Sequence, residues 1–223
     1  MAGEENLEGE KTVQSLDHLR EFVSDYLRGL LADQRGPLYP IMEYAFGWRD
    51  QNGEPVTRLT SMIQRGCLCL LICRAMGGEI RQGIPAARAV ELLHNFSMVH
   101  DDIQNGAPER EGRPAVWWLW GPAQGINVGD GLHALARLSL LGLEDCGVPA
   151  LRILKAVRIL DTACLELFEG QYEELIFQER TQVLPGAYFS AAAKRAGALW
   201  SCAAGLGALA AEADEETIAL CQR

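Results

Sequence analysis

The stretch IPAARAVELLHNFSMVHDDIQN, residues 84–105, carries a polar cluster at the end of an apolar, periodic segment. Four of its residues fall near one stripe at helical spacing: Val90, Leu93, Ser97 and Asp101. Pro85 suits the first turn of a helix. We therefore predict a buried helix that begins near Pro85 and carries Asp101 and Asp102 at its C-terminal end. Because the helix dipole already places negative potential there, a positive group must offset the two carboxylates.

Helical periodicity extends over most of the remaining chain. Apolar residues recur at helical spacing from residue 13 up to the Gly36-Pro37 break, and later segments follow the same pattern. No stretch shows the period-two alternation of a half-buried strand. With 223 residues, 48% hydrophobic and 22% charged, the chain can build one sizeable core. We predict an all-α fold, a single bundle over residues 1–223 whose first 12 residues form a disordered tail.

Charge and cysteine usage exclude several classes of partner. A net charge of -10 and a pI of about 4.9 disfavour nucleic acid and anionic membranes. The seven cysteines, an odd number, lie mostly among apolar neighbours, which is typical of a reduced protein without a disulfide framework. The N-terminus lacks the apolar stretch of a signal peptide, and the uncharged residues 196–211 are short for a membrane span. We predict a cytoplasmic protein with no membrane span.

Oxygen-bearing side chains converge at the end of the predicted helix. Asp101 and Asn105 are four residues apart on one helical face, with Asp102 beside them. Carboxylate oxygens suit Mg²⁺, which completes its shell with water and substrate phosphates. Arg110 and Arg113 follow in a loop with Gly and Pro, where guanidinium groups can bind phosphate oxygens. The pattern favours a metal-bridged diphosphate.

A plainer interpretation of the same residues stays open at this point. Two adjacent aspartates are common at solvated helix ends. Loop arginines also pair with nearby glutamates, of which Glu109 is one. The spacing of the aspartates relative to other motifs distinguishes a metal-bridged diphosphate site from a solvated helix end.

Five segments together resemble, in order and spacing, the trans-isoprenyl diphosphate synthase (polyprenyl synthetase) family: HNFSMVHDDIQN, REGRPAVW, NVGDGLHALA, FEGQYEEL and AAAKRAG. The resemblance covers nearly the whole chain after about Leu38. It implies an isoprenoid synthase-type helical bundle, in which two Asp-rich motifs hold Mg²⁺ against the diphosphate of an allylic substrate. Loss of that diphosphate leaves an allylic cation, which isopentenyl diphosphate then attacks.

The resemblance assigns roles to particular positions of this sequence. It implies that Asp101 and Asp102 form the first Asp-rich motif and hold Mg²⁺ with Asn105. It places the remaining residues around the substrates, as catalytic or binding groups: Arg110, Gln171, Lys194, His94, Arg65, Phe96 and Ser97. In the family, a bulky aromatic at the depth of Phe96 ends the prenyl pocket, which implies a product of farnesyl to geranylgeranyl size.

Each of these assignments has a structural alternative. Gln171 could be an amide on a helix surface, and Lys194 could be a solvated charge. His94 could be a core histidine with its hydrogen bonds satisfied. Phe96 could simply fill the core between helices.

The sequence departs from the family pattern in four places. Asn105 stands where a third aspartate is usual, and Glu111 stands where a second arginine is usual. In SMIQRG, residues 61–66, Met62 replaces a phosphate-binding lysine, whereas Arg65 is kept. The chain also ends before the second Asp-rich motif, so the bundle is expected to be incomplete on its C-terminal side.

Three functional hypotheses follow from these observations. The favoured one is a Mg²⁺-dependent prenyltransferase that condenses an allylic diphosphate with isopentenyl diphosphate. The second is a terpene cyclase that uses the allylic diphosphate alone, since Met62 and Glu111 affect only the isopentenyl side. The third is a non-catalytic subunit or inactive fragment. We expect a homo- or heterodimer, and little or no turnover by this chain alone.

Overall fold

The computed structural model describes residues 16–56 and 63–223, and its regular structure is almost entirely helical. The predicted all-α fold is confirmed. The expected tail and Met62 lie outside the described residues. The α-helices are, in chain order, α1 Leu16–Ala32, α2 Leu38–Ala45, α3 Arg65–Ala75, α4 Ile80–Gln104, α5 Val116–Trp120, α6 Pro122–Leu141, α7 Ala150–Gln178, α8 Pro185–Ala192, α9 Ala198–Ala210 and α10 Glu215–Cys221.

Helix α4 lies at the centre of the bundle and packs against α3, α6 and α9. It begins at Ile80, so the prediction that Pro85 lies in its first turn was wrong. A capping box makes the helix start earlier in the chain than Pro85. The backbone N–H of Glu79 donates to Gln82 Oε1 at 2.8 Å, and the Glu79 side chain accepts from the backbone N–H of Gln82. Two satisfied donors at the new N-terminus stabilise an extra turn before the proline.

Helix α9 is the Ala- and Gly-rich segment near the end of the chain, and its close packing explains that composition. A Cβ built at Gly207 would stand 2.3 Å from the carbonyl oxygen of Cys69 on α3. Only a residue without a side chain allows the two backbones to approach so closely. Within residues 16–56 and 63–223, no helix has the length and apolar character needed to cross a membrane.

A short hairpin follows α4, which the sequence did not predict. Strand β1, Glu109–Arg110, pairs antiparallel with β2, Arg113–Pro114. The two turn residues between them, Glu111 and Gly112, have φ of 53° and 74°, as a two-residue type I′ turn requires. Strands of two residues are too short to show period-two alternation, which is why the pattern was missed.

The cysteines lie apart from any disulfide in the structure. All seven are free thiols. Burial raises the pKa of Cys67 and of Cys164 to about 12, so both stay protonated and behave as small core residues.

Candidate active site

The aspartate pair at the end of α4 lies in an ion-paired cluster and not at a solvated helix end. Asp101 and Asp102 are only 8% and 4% exposed. Arg110 spans both carboxylates: its Nε donates to Asp102 Oδ1 at 2.8 Å and its Nη2 to Asp101 Oδ2 at 2.9 Å. The positive group expected beside the negative end of the helix dipole is therefore the guanidinium of Arg110, which belongs to the hairpin.

The hairpin holds Arg110 in place through Arg113. The Nη2 of Arg113 donates to the backbone carbonyls of Tyr44 and Arg49, at 3.1 and 2.9 Å. Its guanidinium also lies 4.1 Å from the centroid of the Tyr44 ring, and the Tyr44 hydroxyl donates to the Pro114 carbonyl at 2.6 Å. Arg113 thus anchors the hairpin to α2, whereas Arg110 is the arginine of this hairpin that contacts the two aspartates.

Arg195 supplies a second guanidinium, and sequence reasoning missed it. Its Nη2 donates to Asp101 Oδ1 at 2.7 Å, and its Nη1 lies 2.9 Å from Glu174 Oε2. Lys194, the residue assigned from the family resemblance, instead binds Glu173 at 2.7 Å and Glu169 at 3.2 Å. The structure thus brings Arg195, and not Lys194, into contact with the aspartates.

Local backbone geometry explains which of the two basic residues reaches the site. Residues Ala193–Gly197 form a π-helical turn, which inserts an extra residue and changes the direction of the side chains that follow. A Cβ at Gly170 on α7 would stand 2.6 Å from the Arg195 backbone nitrogen, so glycine permits the close approach of the turn. The sequence did show two adjacent basic residues in AAAKRAG, Lys194 and Arg195. The spacing of a regular α-helix does not tell which of the two points to the aspartates once a π-helical turn is present.

Asn105 contributes its amide nitrogen to the cluster. The Nδ2 donates to the backbone carbonyl of Asp101 at 3.0 Å and to Asp101 Oδ1 at 2.9 Å. The Oδ1 accepts from Gln178 Nε2 at 3.0 Å. The oxygen that was expected to face a metal points to the end of α7.

Carboxylates outnumber cations in this cluster: Asp101, Asp102 and Glu174 share the guanidinium groups of Arg110 and Arg195. Burial raises the pKa of Asp102, and the hydrogen bond and charge of Arg110 act against that rise. In the described part of the chain, no group of three or more His, Cys, Asp or Glu side chains could form a metal centre by itself. Two carboxylates do fit Mg²⁺, which takes its remaining ligands from water and phosphate.

A cleft beside the aspartates contains two of the positions expected on the isopentenyl side, His94 and Glu111. His94, Arg110, Glu111 and Arg113 line it. Burial, followed by the charges of Arg65 and Arg110, lowers the pKa of His94 to about 3, so its ring is neutral. Arg65 itself lies over the Trp200 ring, 4.8 Å from the centroid. The cleft thus combines a neutral imidazole with the carboxylates of Asp102 and Glu111 and the guanidinium groups of Arg110 and Arg113.

A second cavity, of about 470 Å³, opens beside Phe96 and Gln171. The Phe96 ring stacks on His133, with the centroids 4.9 Å apart and the planes at 28°. His133 was not identified from the sequence, because a single histidine in NVGDGLHALA gives no local signal. Ser97 is not among the residues that line the cavity; its hydroxyl donates to the His94 carbonyl at 2.7 Å.

Comparison with known proteins identifies the relatives of this chain. The sequence profile described as "Polyprenyl synthetase" matches residues 57–223. The chain is 35% identical over 208 residues to a geranylgeranyl diphosphate synthase of Mycobacterium tuberculosis, covering 93% of this chain and 58% of that protein. It is 35% identical over 204 residues to a (2E,6E)-farnesyl diphosphate synthase of Mycobacterium bovis, covering 91% and 55%. The chain therefore spans less than two thirds of the length of these relatives.

A solved structure shows the same fold. The crystal structure of a polyprenyl synthetase from Streptomyces coelicolor A3(2) superposes with a TM-score of 0.86 at 34% identity, covering 93% of this chain and 60% of that one. The aspartate pair, its two arginines and the adjoining cavity thus stand in a known helical framework. On the combined strength of the sequence profile, the relatives and the shared fold, this chain belongs to the polyprenyl synthetase family.

Proposed function

We propose that the chain is the diphosphate-binding part of a prenyltransferase, which condenses an allylic diphosphate with isopentenyl diphosphate. The observation that carries the proposal is the pair Asp101 and Asp102, bracketed by Arg110 and Arg195 next to the Phe96 cavity. Two carboxylates with two movable cations suit a metal-bound diphosphate, and a cavity beside them suits a hydrocarbon chain.

Asp101 and Asp102 are the residues that would hold Mg²⁺. When bound, Mg²⁺ supplies electrostatic stabilisation of the departing diphosphate. Arg110 and Arg195 would leave the carboxylates and neutralise the phosphate oxygens, since guanidinium groups bind phosphate with two parallel hydrogen bonds. We assign this role to Arg195 in place of Lys194. The carboxylates act as metal ligands and need not move a proton.

The remaining residues would orient the hydrocarbon and exclude water. Phe96 and His133 form the wall at which the prenyl chain ends, and Gln171 lines the same cavity. The aromatic side chains of Phe96, Phe168 and Tyr172 in its lining would shield an allylic cation from capture by water. The wall supports a product of farnesyl to geranylgeranyl size, which are the sizes in the names of the relatives.

The relatives also favour prenyl transfer over the other two hypotheses. They are named geranylgeranyl and farnesyl diphosphate synthases, not cyclases. The isopentenyl side would be weak in this chain, because Glu111 lines the cleft beside His94. We further propose a cytoplasmic dimer. Its support is the odd number of cysteines, none in a disulfide, and the exposed apolar side chains Leu138, Leu141, Leu151 and Leu154.

Calorimetric binding of geranyl diphosphate, with and without Mg²⁺, tests the proposal. Asp101→Asn and Asp102→Asn should each weaken the Mg²⁺-dependent part at least tenfold, since each removes a charged ligand. Asp17→Asn is the matched control, because it breaks an exposed aspartate–arginine pair with Arg20 on α1 and involves none of the residues of the candidate site. Unchanged Mg²⁺-dependent binding in both site variants would refute the assignment. Product formation with and without isopentenyl diphosphate then separates transfer from cyclisation.

A further inference from the structure

The amide of Asn105 has an orientation that its hydrogen bonds determine. Its nitrogen faces the backbone carbonyl and the Oδ1 of Asp101, both of which only accept. The reverse orientation would place the amide oxygen against two other oxygens with no proton between them. The network therefore assigns the NH₂ group to the Asp101 side.

Gln178, the last residue of α7, completes the arrangement from the other side. Its Nε2 donates to Asn105 Oδ1 at 3.0 Å across 73 positions of sequence. This hydrogen bond occupies the oxygen that a metal would need. It also connects the C-terminal ends of α4 and α7, so the orientation of the amide depends on how the two helices pack.

A neutral donor at this position suits the charge balance of the cluster. Asp101 and Asp102 share Arg110, and Asp101 and Glu174 share Arg195, so three carboxylates already face two cations and a further negative group would be repelled. Asp101 Oδ1 would repel an acceptor oxygen placed 2.9 Å away. The N–H of the Asn105 amide instead donates a hydrogen bond to this carboxylate oxygen. Asn105 thus fixes the Asp101 carboxylate before any ligand arrives.

We propose that Asn105 is a positioning residue for Asp101, fixed by Gln178, and is not itself a ligand of the metal. The proposal rests on the proposed function, in which Asp101 binds Mg²⁺ together with a diphosphate. Gln178 is exposed and is not among the residues that line the cavity beside Phe96. Under this proposal its role in the site acts entirely through its hydrogen bond to Asn105.

The variant Gln178→Ala separates the two roles of Asn105 by the sign of its effect. If Asn105 orients Asp101, losing Gln178 frees the amide to rotate, and Mg²⁺ binding at saturating inorganic pyrophosphate should weaken about threefold. If Asn105 were a ligand, the same variant would release its oxygen for the metal, and binding would stay equal or become tighter. The second result would overturn the proposal.

A double-mutant cycle tests whether Gln178 acts through Asn105. Asn105→Ala should weaken Mg²⁺ binding about tenfold, and adding Gln178→Ala to it should change nothing further. Two effects that add in full would contradict the proposal. Gln124→Ala is the matched control, because Gln124 pairs with Asn127 in an exposed Asn–Gln contact on α6. It should leave Mg²⁺ binding as in the wild type.

Two further measurements exclude a general structural effect. Pyrophosphate affinity without Mg²⁺ and the thermal unfolding midpoint should be the same in Gln178→Ala as in the wild type, because the phosphate-binding arginines are untouched. A loss in either would mean that the variant acts on the fold, and would overturn the positioning role. If the wild type shows no Mg²⁺-dependent pyrophosphate binding, the proposed function itself fails, and this inference falls with it.

Discussion

Glu91 on α4 offers a sharp test of how burial controls the stability of this bundle. Its side chain is fully buried, and Oε1 accepts the backbone N–H of Gly66 at 2.7 Å, near the start of α3. Oε2 has no hydrogen-bond partner among the described residues. Burial raises the pKa of Glu91 from 4.5 to about 7, while the Gly66 hydrogen bond and the charge of Arg65 act in the opposite direction.

The raised pKa gives the pH dependence its sign. Between pH 4.5 and 7 the folded protein keeps the proton on Glu91, whereas the unfolded chain releases it. The folded state therefore binds more protons, and stability falls as pH rises through this range. The difference between a pKa of 4.5 and one of about 7 corresponds to about 3 kcal/mol in the unfolding free energy.

The variant Glu91→Gln removes this titration and keeps an acceptor for Gly66. We subtract the unfolding free energy of the wild type from that of the variant. This difference should rise by about 2 kcal/mol from pH 5.5 to pH 8, because the wild type loses stability between pH 5.5 and the folded-state pKa of about 7. Urea unfolding measures it, and this range avoids precipitation near the pI of about 4.9.

Taking this difference removes the contributions of other titrating groups. His94 has a pKa lowered to about 3 in the folded protein, so below its usual 6.5 only the unfolded chain takes up the proton. The unfolding free energy therefore falls as pH falls, which opposes the effect of Glu91 in the wild type. Glu21→Gln is the control, because Glu21 is exposed on α1 and its side chain stays in water in both states. A Glu91→Gln difference that stays constant within about 0.5 kcal/mol across the range would refute the reasoning.

The site gives two further predictions. Phe96→Ala and His133→Ala should each shift binding towards longer prenyl diphosphates, and the double variant should shift it further, because the two rings stack as one wall. Calorimetry with geranyl, farnesyl and geranylgeranyl diphosphates measures this; an unchanged ranking would remove both rings from chain selection. Arg195→Ala should weaken Mg²⁺-dependent pyrophosphate binding about tenfold, whereas Lys194→Ala should change it less than threefold. Arg20→Ala, an equally exposed arginine in an aspartate pair on α1, is the control, and a larger loss at Lys194 would reverse our assignment.

Much of the fold was accessible from periodicity, because helices are defined by contacts three and four residues apart. The stripe ending in Asp101 predicted α4 and the position of the aspartate pair at its end. The start of α4 was missed by five residues, because the capping box at Glu79 competed with the proline signal. The hairpin was missed because two-residue strands leave no repeat to detect.

The sequence by itself determined the helical class, the family and the location of the acidic motif, since all three follow from local spacing or from motifs in order. Only the tertiary structure decided which side chains meet those aspartates. Arg195 lies 94 positions from Asp101 and reaches it through a π-turn packed on Gly170. The amide of Asn105 is oriented by Gln178 from another helix. Such contacts depend on how helices approach and on which polar groups they bring within hydrogen-bond distance, and neither has a signature in local spacing.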